Sequence, residues 1–323
     1  MNETKREELA ATEHRRVFGE TLVEIGRENE KLVVLDCDTA TSTGCAVFRD
    51  QIPERFYQIG IAEQNATSIL AGMVTQGDVP VLCIFSFLAG SRAVDPWIVQ
   101  VAHDSLHGII AGSCGGIDMN VTGASHQPGW DIGVMRSIPN ITIIVPGDAI
   151  ELKHSLRAAV EDIEGPVYFR YARPAFPVVF DDDYQFQVGK GIFIREGADV
   201  FLVSTGTMVS RAVVAADMLQ QKGIEAGILH LPTIKPIDIE SIIQAANETG
   251  AMVTVENHGI VGGLGSAVSE VLSENAPVPL RRIGIRDKFV YSAHKAEDLY
   301  RHYQMTPEDI VEAAQQVMKM KKA

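Results

Sequence analysis

The sequence predicts an α/β protein with two domains, each a mainly parallel sheet flanked by helices. Strand-like apolar segments alternate with helix-like segments almost throughout, which is the pattern of parallel sheets with crossover helices. Its 323 residues exceed the length that one small core needs and suit two domains. Two prolines and an acidic run interrupt the alternation at about 174–190, so we expect a linker there, between domains at 1–180 and 190–323.

Apolar runs and helical periodicity predict the elements of each half in order. The first half predicts a helix over 13–29, strands over 31–38 and 56–60, a helix that starts near Glu63, a strand over 80–85, a helix over 91–107, strands over 108–113 and 141–146, a helix over 148–162 and a strand over 166–172. The second half predicts a strand over 199–206, a helix over 207–221, a strand over 225–236, a helix over 238–250, a strand over 251–257, a helix over 266–274, a strand over 279–285 and a last helix from 307.

Charge and cysteine usage exclude several classes of protein. A formal net charge of −14 argues against a nucleic-acid-binding surface. The longest apolar run, "VPVLCIFSFLAG", has about half the length of a membrane span and predicts a buried strand that runs into a loop. The four cysteines lack C-x-x-C spacing, which favours a reduced, cytoplasmic setting. The first segment is charged, "MNETKREELAATEHRRVFGE", which favours the same setting without a membrane.

One carboxylate has an unusual position in "YQIGIAEQNATSILAGM" at 57–73. Glu63 falls in the first turn of a predicted helix, beside small and apolar residues. An acid there complements the helix dipole and caps free N–H groups, and the local sequence favours that interpretation. A functional interpretation needs support from other parts of the chain.

Other polar and aromatic residues follow predicted strands, where ligands of parallel sheets gather. Asp36 and Asp38 end the first strand, although an Asx turn explains them equally well. Phe85 and Phe87 leave the strand over 80–85, and such aromatic side chains stack on planar rings, with core packing as the alternative.

A histidine and two arginines complete the candidates. His126 lies in the Gly-flanked loop "GASHQPGWD", where it is free to exchange protons or to donate to a substrate oxygen, or else to bind the backbone. Arg170 and Arg173 end the strand "VYFRYA" and suit a phosphate or carboxylate, with an inter-domain salt bridge as the alternative.

The catalytic motifs of several enzyme classes are absent from the sequence. It has no P-loop, no H-E-x-x-H, no G-x-S-x-G and no cluster with metal-ligand spacing, and "GIVGGLGSAV" lacks the full G-x-G-x-x-G pattern. If the chain is an enzyme, we expect its chemistry to depend on a group that it does not carry alone.

Five segments occur together, in one order, in a known family. "LDCDTATST", "YQIGIAEQNA", "GASHQPGWDIGVMRSIPNITIIVPGD", "PVYFRYAR" and "LPTIKPID" resemble the C-terminal half of transketolase, its pyrimidine-binding and C-terminal domains, from about residue 15 onward. The family's thiamine-diphosphate-binding domain, with its G-D-G motif, has no counterpart here. The resemblance therefore implies one subunit of a split transketolase, which moves a two-carbon ketol unit from a ketose to an aldose.

The same resemblance implies partners and cofactors. An N-terminal-half subunit would hold the diphosphate and Mg²⁺ of thiamine diphosphate in an α₂β₂ assembly, and sugar phosphates would be the substrates. It implies that Glu63 is the catalytic glutamate that binds the aminopyrimidine ring. It also implies roles for the remaining candidates: Asp38 beside the thiazolium, Phe85 or Phe87 stacked on the aminopyrimidine, His126 near the reacting carbon, Arg173 on the sugar phosphate, and Arg170 as its neighbour.

Two departures from the family pattern concern the substrate. Cys114 and Thr122 stand where transketolases carry a His and an Asp, so we expect an unusual ketose or acceptor.

Two other functions are alternatives to a transketolase subunit. One is the β subunit of a 2-oxo acid or acetoin dehydrogenase, although "GASHQPGWDIGVMRSIPNI" and "TIKPID" fit transketolase better. Another is a non-catalytic scaffold subunit, against which Glu63, His126 and Arg173 argue.

Overall fold

The computed structural model describes residue 1 and residues 3–321, and it contains two sheets flanked by helices. The first sheet has seven strands in the order β10-β5-β6-β4-β3-β1-β2. Its strands are β1 (Leu32–Asp36), β2 (Phe56–Gln58), β3 (Val79–Phe85), β4 (Ile109–Ser113), β5 (Thr142–Ile144), β6 (Val167–Arg170) and β10 (Thr233–Lys235). All pairings among β1 to β6 are parallel.

The second sheet has five strands in the order β12-β11-β8-β9-β7. They are β7 (Ile192–Arg195), β8 (Val200–Ser204), β9 (Ala226–His230), β11 (Met252–Gly259) and β12 (Leu280–Ile285). Its pairings are parallel except that β7 runs antiparallel to β9. The predicted fold class, two mainly parallel sheets with helices on their faces, is therefore confirmed.

Central strands read as apolar runs because helices cover both faces of each sheet. Every residue of β1, β4, β8 and β11 is buried. The helices of the first half are α1 (Glu3–Ala11), α2 (His14–Glu28), α3 (Ala40–Thr43), α4 (Ala46–Gln51), α5 (Glu63–Thr75), α6 (Ser86–Ala89), α7 (Val94–Pro96), α8 (Asp131–Ser137) and α9 (Ala149–Glu161). Those of the second half are α10 (Met208–Gln220), α11 (Ile239–Thr249), α12 (Leu264–Asn275), α13 (Ala296–His302) and α14 (Pro307–Met318).

One segment of the second half joins the first sheet. The sequence predicts a single strand over 225–236, but the chain changes sheets at Pro232, which has no backbone N–H to donate to a ladder. The Val145 N–H donates to the Pro232 carbonyl at 2.7 Å, and β10 then pairs antiparallel with β5. The two halves are thus connected through backbone hydrogen bonds as well as side chains.

Two local predictions differ from the structure around residue 90. The segment after β3 is the one-turn helix α6, where the sequence predicts a loop. The helix predicted over 91–107 is shorter: α7 leads into a π-helical stretch, Trp97–Ala102, in which the His103 N–H donates to the Ile98 carbonyl. The Trp97 ring in this stretch is fully buried in a hydrophobic cluster that contains residues of both halves of the chain.

The parallel order places the carboxyl ends of β1, β3, β4 and β6 along one edge of the first sheet. This edge carries the segments that the sequence singled out, since ligands of such sheets gather there. Within residue 1 and residues 3–321, no helix combines the length and the apolar character needed to cross a membrane.

Candidate active site

Glu63 is a buried acid at the start of a helix. It is the first residue of α5, and its position in the first helical turn is the one that the sequence predicted. The residue is 3% exposed. Its carboxylate lies 3.4 Å from Nη1 of Arg92, whose side chain is 60% exposed. A carboxylate excluded from water with one solvent-facing cation beside it is available for a ligand that donates or shares a proton.

Asp36 and Asp38 have different surroundings at the end of β1. The buried Asp36 carboxylate accepts hydrogen bonds from the Thr39 N–H and hydroxyl and from Nε2 of Gln58 at 2.7 Å. Asp38 is exposed, has a φ of 64°, and donates its N–H to Oε1 of Gln58. Asp36 therefore ties β1 to β2, while the Asp38 carboxylate faces out from the edge of the sheet.

Two aromatic pairs lie at the exit of β3. The half-buried Phe85 ring packs edge-on against His126, with 5.2 Å between ring centroids. Phe87, on α6, packs edge-on against Trp130 at 5.4 Å. The structure thus brings Phe85 and His126 together, although they are distant in sequence. His126 also shares a hydrogen bond through Nδ1 with the Ser125 hydroxyl at 2.9 Å.

Arg173 is half-buried and lies near Cys114, which follows β4, next to a second arginine. The Arg15 N–H meets the Arg173 carbonyl at 3.4 Å. Burial raises the pKa of the Cys114 thiol to about 11, and the positive charges of Arg173 and Arg15 oppose that rise. The Arg15 guanidinium is paired with Glu13 at 2.7 Å and donates to the Thr41 carbonyl at 3.1 Å. Arg173 is therefore the better candidate of the two for binding an anion. The sequence selected Arg173 at the end of a strand and through the family resemblance, but no local motif indicated that Arg15 lies beside it.

Arg170, unlike Arg173, is part of a buried network. It is 4% exposed, its Nε donates to Asp131 at 2.6 Å, and its Nη2 donates to the Asn257 carbonyl at 3.0 Å. Tyr168 also donates to Asp131, and His258 accepts the Ile132 N–H beside it. Burial lowers the pKa of His258 to about 4. The salt bridge of Arg170 therefore lies within the first domain, and only its hydrogen bond to the Asn257 carbonyl crosses to the second domain. Since this buried network takes up its guanidinium, Arg170 does not enter the substrate site proposed below.

Thr122 is held by its own loop. Its hydroxyl and its N–H both meet the Met119 carbonyl, at 2.7 and 2.9 Å. Nη1 of Arg173 lies 3.5 Å from the Met119 sulfur. The structure therefore places the loop that contains Thr122 against Arg173, with the buried Cys114 at its start.

The residues at this edge fit a flat aromatic ring with ring nitrogens. The buried Glu63 carboxylate supplies a hydrogen-bond acceptor, and the half-buried Phe85 and Phe87 rings supply apolar surface for stacking. Among the described residues, no group of three or more His, Cys, Asp or Glu side chains is placed to hold a metal ion.

Fold and site together define a two-domain α/β protein whose first sheet presents a buried glutamate, aromatic rings and a half-buried arginine at the carboxyl ends of its strands. The sequence matches the transketolase pyrimidine binding domain over residues 10–178 and the transketolase C-terminal domain over residues 189–310. The chain belongs to the transketolase family and corresponds to its C-terminal section.

Three relatives match over nearly their whole length. A putative transketolase C-terminal section of Methanocaldococcus jannaschii is 40% identical, with 94% of this chain and 96% of the relative aligned. A 6-deoxy-6-sulfo-D-fructose transketolase subunit of a Clostridium species is 37% identical, over 97% and 98%. An apulose-4-phosphate transketolase subunit of Phocaeicola vulgatus is 36% identical, over 94% and 97%.

A solved structure agrees with these relatives. It is described as a split gene transketolase, an inactive β₄ tetramer, and superposes with a TM-score of 0.89 at 40% identity over 96% of this chain and 99% of that one. The prediction of a C-terminal half of transketolase, as found in split enzymes, is therefore confirmed.

Proposed function

We propose that this chain is the catalytic C-terminal-half subunit of a split transketolase that transfers a two-carbon ketol unit from a ketose to an aldose. The observation that carries the proposal is Glu63, a buried carboxylate at the first residue of α5 in a chain of this family. A partner subunit, homologous to the N-terminal half, holds the diphosphate and Mg²⁺ in an α₂β₂ assembly. That assembly is inferred from the resemblance and fits the split relatives.

In this proposal each candidate residue at the carboxyl ends of the strands of the first sheet has one role. Thiamine diphosphate, when bound, supplies a carbanion that accepts and releases the two-carbon unit. Glu63 accepts a hydrogen bond from the aminopyrimidine ring and holds the proton that this ring exchanges. Phe85 or Phe87 provides the stacking surface, and Asp38 faces the thiazolium side. His126, beside Phe85, donates to the substrate oxygen.

Arg173 binds the anionic end of the sugar in this proposal. Its positive charge acts on the neighbouring Cys114, and a guanidinium group binds phosphate or sulfonate through paired N–H donors. Cys114 and Thr122 offer less hydrogen bonding than the His and Asp of ordinary transketolases. We therefore infer an atypical substrate with an anionic terminus. Two relatives named for a sulfo-deoxy sugar and for apulose 4-phosphate support this inference.

Reconstitution tests the proposal. The chain is mixed with an N-terminal-half subunit, thiamine diphosphate and Mg²⁺, and ketol transfer is measured over a panel of phosphorylated and sulfonated ketoses. We expect turnover only in the mixture, with neither xylulose 5-phosphate nor ribose 5-phosphate as the best substrate. Sustained oxidation of a 2-oxo acid with an artificial electron acceptor would instead favour a dehydrogenase β subunit, and no turnover of any kind would favour a scaffold.

A further inference from the structure

The loop over residues 114–126 connects β4 to His126, and its middle lies against the second domain. The Ile117 side chain is fully buried in a hydrophobic cluster formed otherwise by residues of the second domain, among them Val255 and Tyr300. Apart from one 3₁₀ turn over Gly123–Ser125, this loop has no regular secondary structure. Its conformation therefore depends on contacts outside the first sheet. We call residues 114–126 the substrate loop.

Asp118 makes the strongest of these contacts. Asp118 is 7% exposed, and its carboxylate accepts hydrogen bonds from the Tyr300 hydroxyl at 2.6 Å and from Nδ2 of Asn257 at 2.7 Å. The Asn257 amide oxygen in turn accepts the Ile117 N–H at 3.0 Å. Hydrogen bonds to a buried carboxylate are stronger than neutral ones and costly to leave unmade.

Tyr300 is itself held firmly on α13. The Arg211 guanidinium lies over the Tyr300 ring, with 3.7 Å from its carbon to the ring centroid. Arg211 is in turn paired with Glu297 at 2.7 Å. The tyrosine hydroxyl thus reaches the substrate loop from a rigid support, as a positioning group requires.

Two further contacts join the substrate loop to the second domain. Asn120 and Ala293 exchange two hydrogen bonds, from the Asn120 side chain at 2.8 Å and from the Ala293 N–H at 2.6 Å. Gly116 has a φ of 87°, and a Cβ there would lie 2.3 Å from the Asn257 amide. The loop backbone therefore lies so close to the second domain that only glycine fits at this point.

We propose that Asp118 and Tyr300 are positioning residues through which the second domain fixes the substrate loop, and with it Thr122 and His126, for sugar binding. The inference rests on the proposed function, because it assigns the substrate loop to the sugar. The C-terminal domain thereby takes part in substrate selection although Asp118 and Tyr300 touch neither reacting atoms nor cofactor.

The test compares two tyrosine variants. Tyr300→Phe removes the hydroxyl that binds Asp118 and keeps the ring beneath Arg211. Tyr184→Phe is the matched control, because the Tyr184 hydroxyl also binds a buried carboxylate, that of Glu151, outside the substrate loop. Amide hydrogen exchange is measured on the purified chains, and KM and kcat for the sugars are measured after reconstitution with the partner subunit.

We expect Tyr300→Phe to speed exchange of amides within residues 117–122 by about tenfold and to raise KM for the sugars by about tenfold, the loss of roughly one such hydrogen bond. We expect a smaller change in kcat than in KM, and an unchanged affinity for thiamine diphosphate. The Tyr184→Phe variant should match wild type in both measurements. If Tyr300→Phe does not fold, Asp118→Asn, which keeps the side-chain size, is measured with the same expectation.

Each outcome has a definite meaning. Unchanged exchange in residues 117–122 overturns the proposed anchoring, and faster exchange with unchanged KM overturns the link to substrate. An equal KM change in both tyrosine variants also overturns it. If exchange rises as expected but the wild-type mixture transfers no ketol unit, the anchoring is supported while the proposed function fails, so the two failures are distinguishable.

Discussion

Arg92 and Glu63 form an ion pair with very unequal exposure: Nη1 of Arg92 lies 3.4 Å from the Glu63 carboxylate, with the arginine side chain 60% exposed and the glutamate side chain 4% exposed. The arginine thus approaches a buried acid from the solvent side. A solvent-facing cation contributes little to stability because water and salt screen it. We infer that this pair orients Glu63 rather than stabilising the fold.

Replacing Arg92 tests this inference. We expect Arg92→Met to lower kcat of the reconstituted enzyme by about tenfold, because the buried carboxylate loses its charged partner. Arg92→Lys, which keeps the charge, should stay within about threefold of wild type. Urea unfolding of the three chains should differ by less than about 1 kcal/mol. A large loss of stability in Arg92→Met, with kcat unchanged, would contradict the orienting role.

Arg173 is expected to act on the substrate's anionic group. Loss of a charge-assisted contact costs about 1.5–3 kcal/mol, so Arg173→Met should raise KM for a phosphorylated or sulfonated ketose by about 10–100-fold. The KM for the same ketose without its anionic group should change little. Arg16→Met is the control, since Arg16 is 70% exposed and paired with Glu20. Equal KM increases for charged and uncharged sugars would contradict the assignment.

In contrast to Arg173, Arg170 should contribute to stability rather than to substrate binding. Its buried pair with Asp131, at 2.6 Å, is a structural contact, and removal of one partner leaves an uncompensated buried charge. We expect Arg170→Met to lower the free energy of unfolding by about 3–5 kcal/mol, measured by urea denaturation. Replacing Asp131 as well should recover part of that loss. A stable Arg170→Met variant with a greatly raised KM would restore the substrate-binding role that the sequence predicted.

His14 predicts how stability depends on pH. Its ring is fully buried, packs 5.3 Å from the Phe176 ring, and has no hydrogen-bond partner among the described residues for either nitrogen. Burial lowers the pKa of His14 from 6.5 to about 4. The folded chain therefore holds the neutral ring while the unfolded chain binds a proton below pH 6.5. The stability present above pH 6.5 is lost as pH falls toward 4.

The variant His14→Phe removes this proton linkage. We compare the free energy of unfolding of the variant with that of wild type at pH 7 and at pH 4. The difference, variant minus wild type, should be larger at pH 4 than at pH 7 by about 3 kcal/mol, at about 1.36 kcal/mol per unit of pKa. Guanidinium denaturation at both pH values measures it. His103→Phe is the control, because the His103 side chain is 79% exposed. A His14→Phe advantage that is the same at both pH values would show that His14 does not titrate as described.

The pattern of apolar residues predicted the strands correctly where that pattern reflects the burial of side chains. Apolar runs of β1, β4 and β8 are buried on both faces, so their periodicity and length identified them. The pattern failed where tertiary contacts determine the local structure. Pro232 moves the chain between sheets, and the buried Trp97 accompanies a π-helical stretch in place of a long α-helix. Domain boundaries at 180 and 190 remain predictions, since β10 crosses to the first sheet.

The candidate site was predicted only in part. Glu63, Phe85 and His126 followed from strand ends and from the family resemblance, and the structure places Phe85 against His126. The sequence did not indicate that Arg15 lies beside Arg173, because this contact depends on how the chain folds and not on any local motif. Arg170 looked equivalent to Arg173 in sequence, yet only the structure shows the buried Asp131 that takes up its charge.

The most direct test of the central claim is ketol transfer by the reconstituted complex, with wild-type chain and with Glu63→Gln. The glutamine keeps the size of the side chain but does not exchange a proton as a carboxylate does. We predict turnover for the wild-type mixture, none for the chain alone, and a kcat lower by about 10²–10⁴-fold for Glu63→Gln, the usual range for loss of a general acid–base group. Wild-type turnover by Glu63→Gln, or robust turnover by the chain without a partner, would contradict the account.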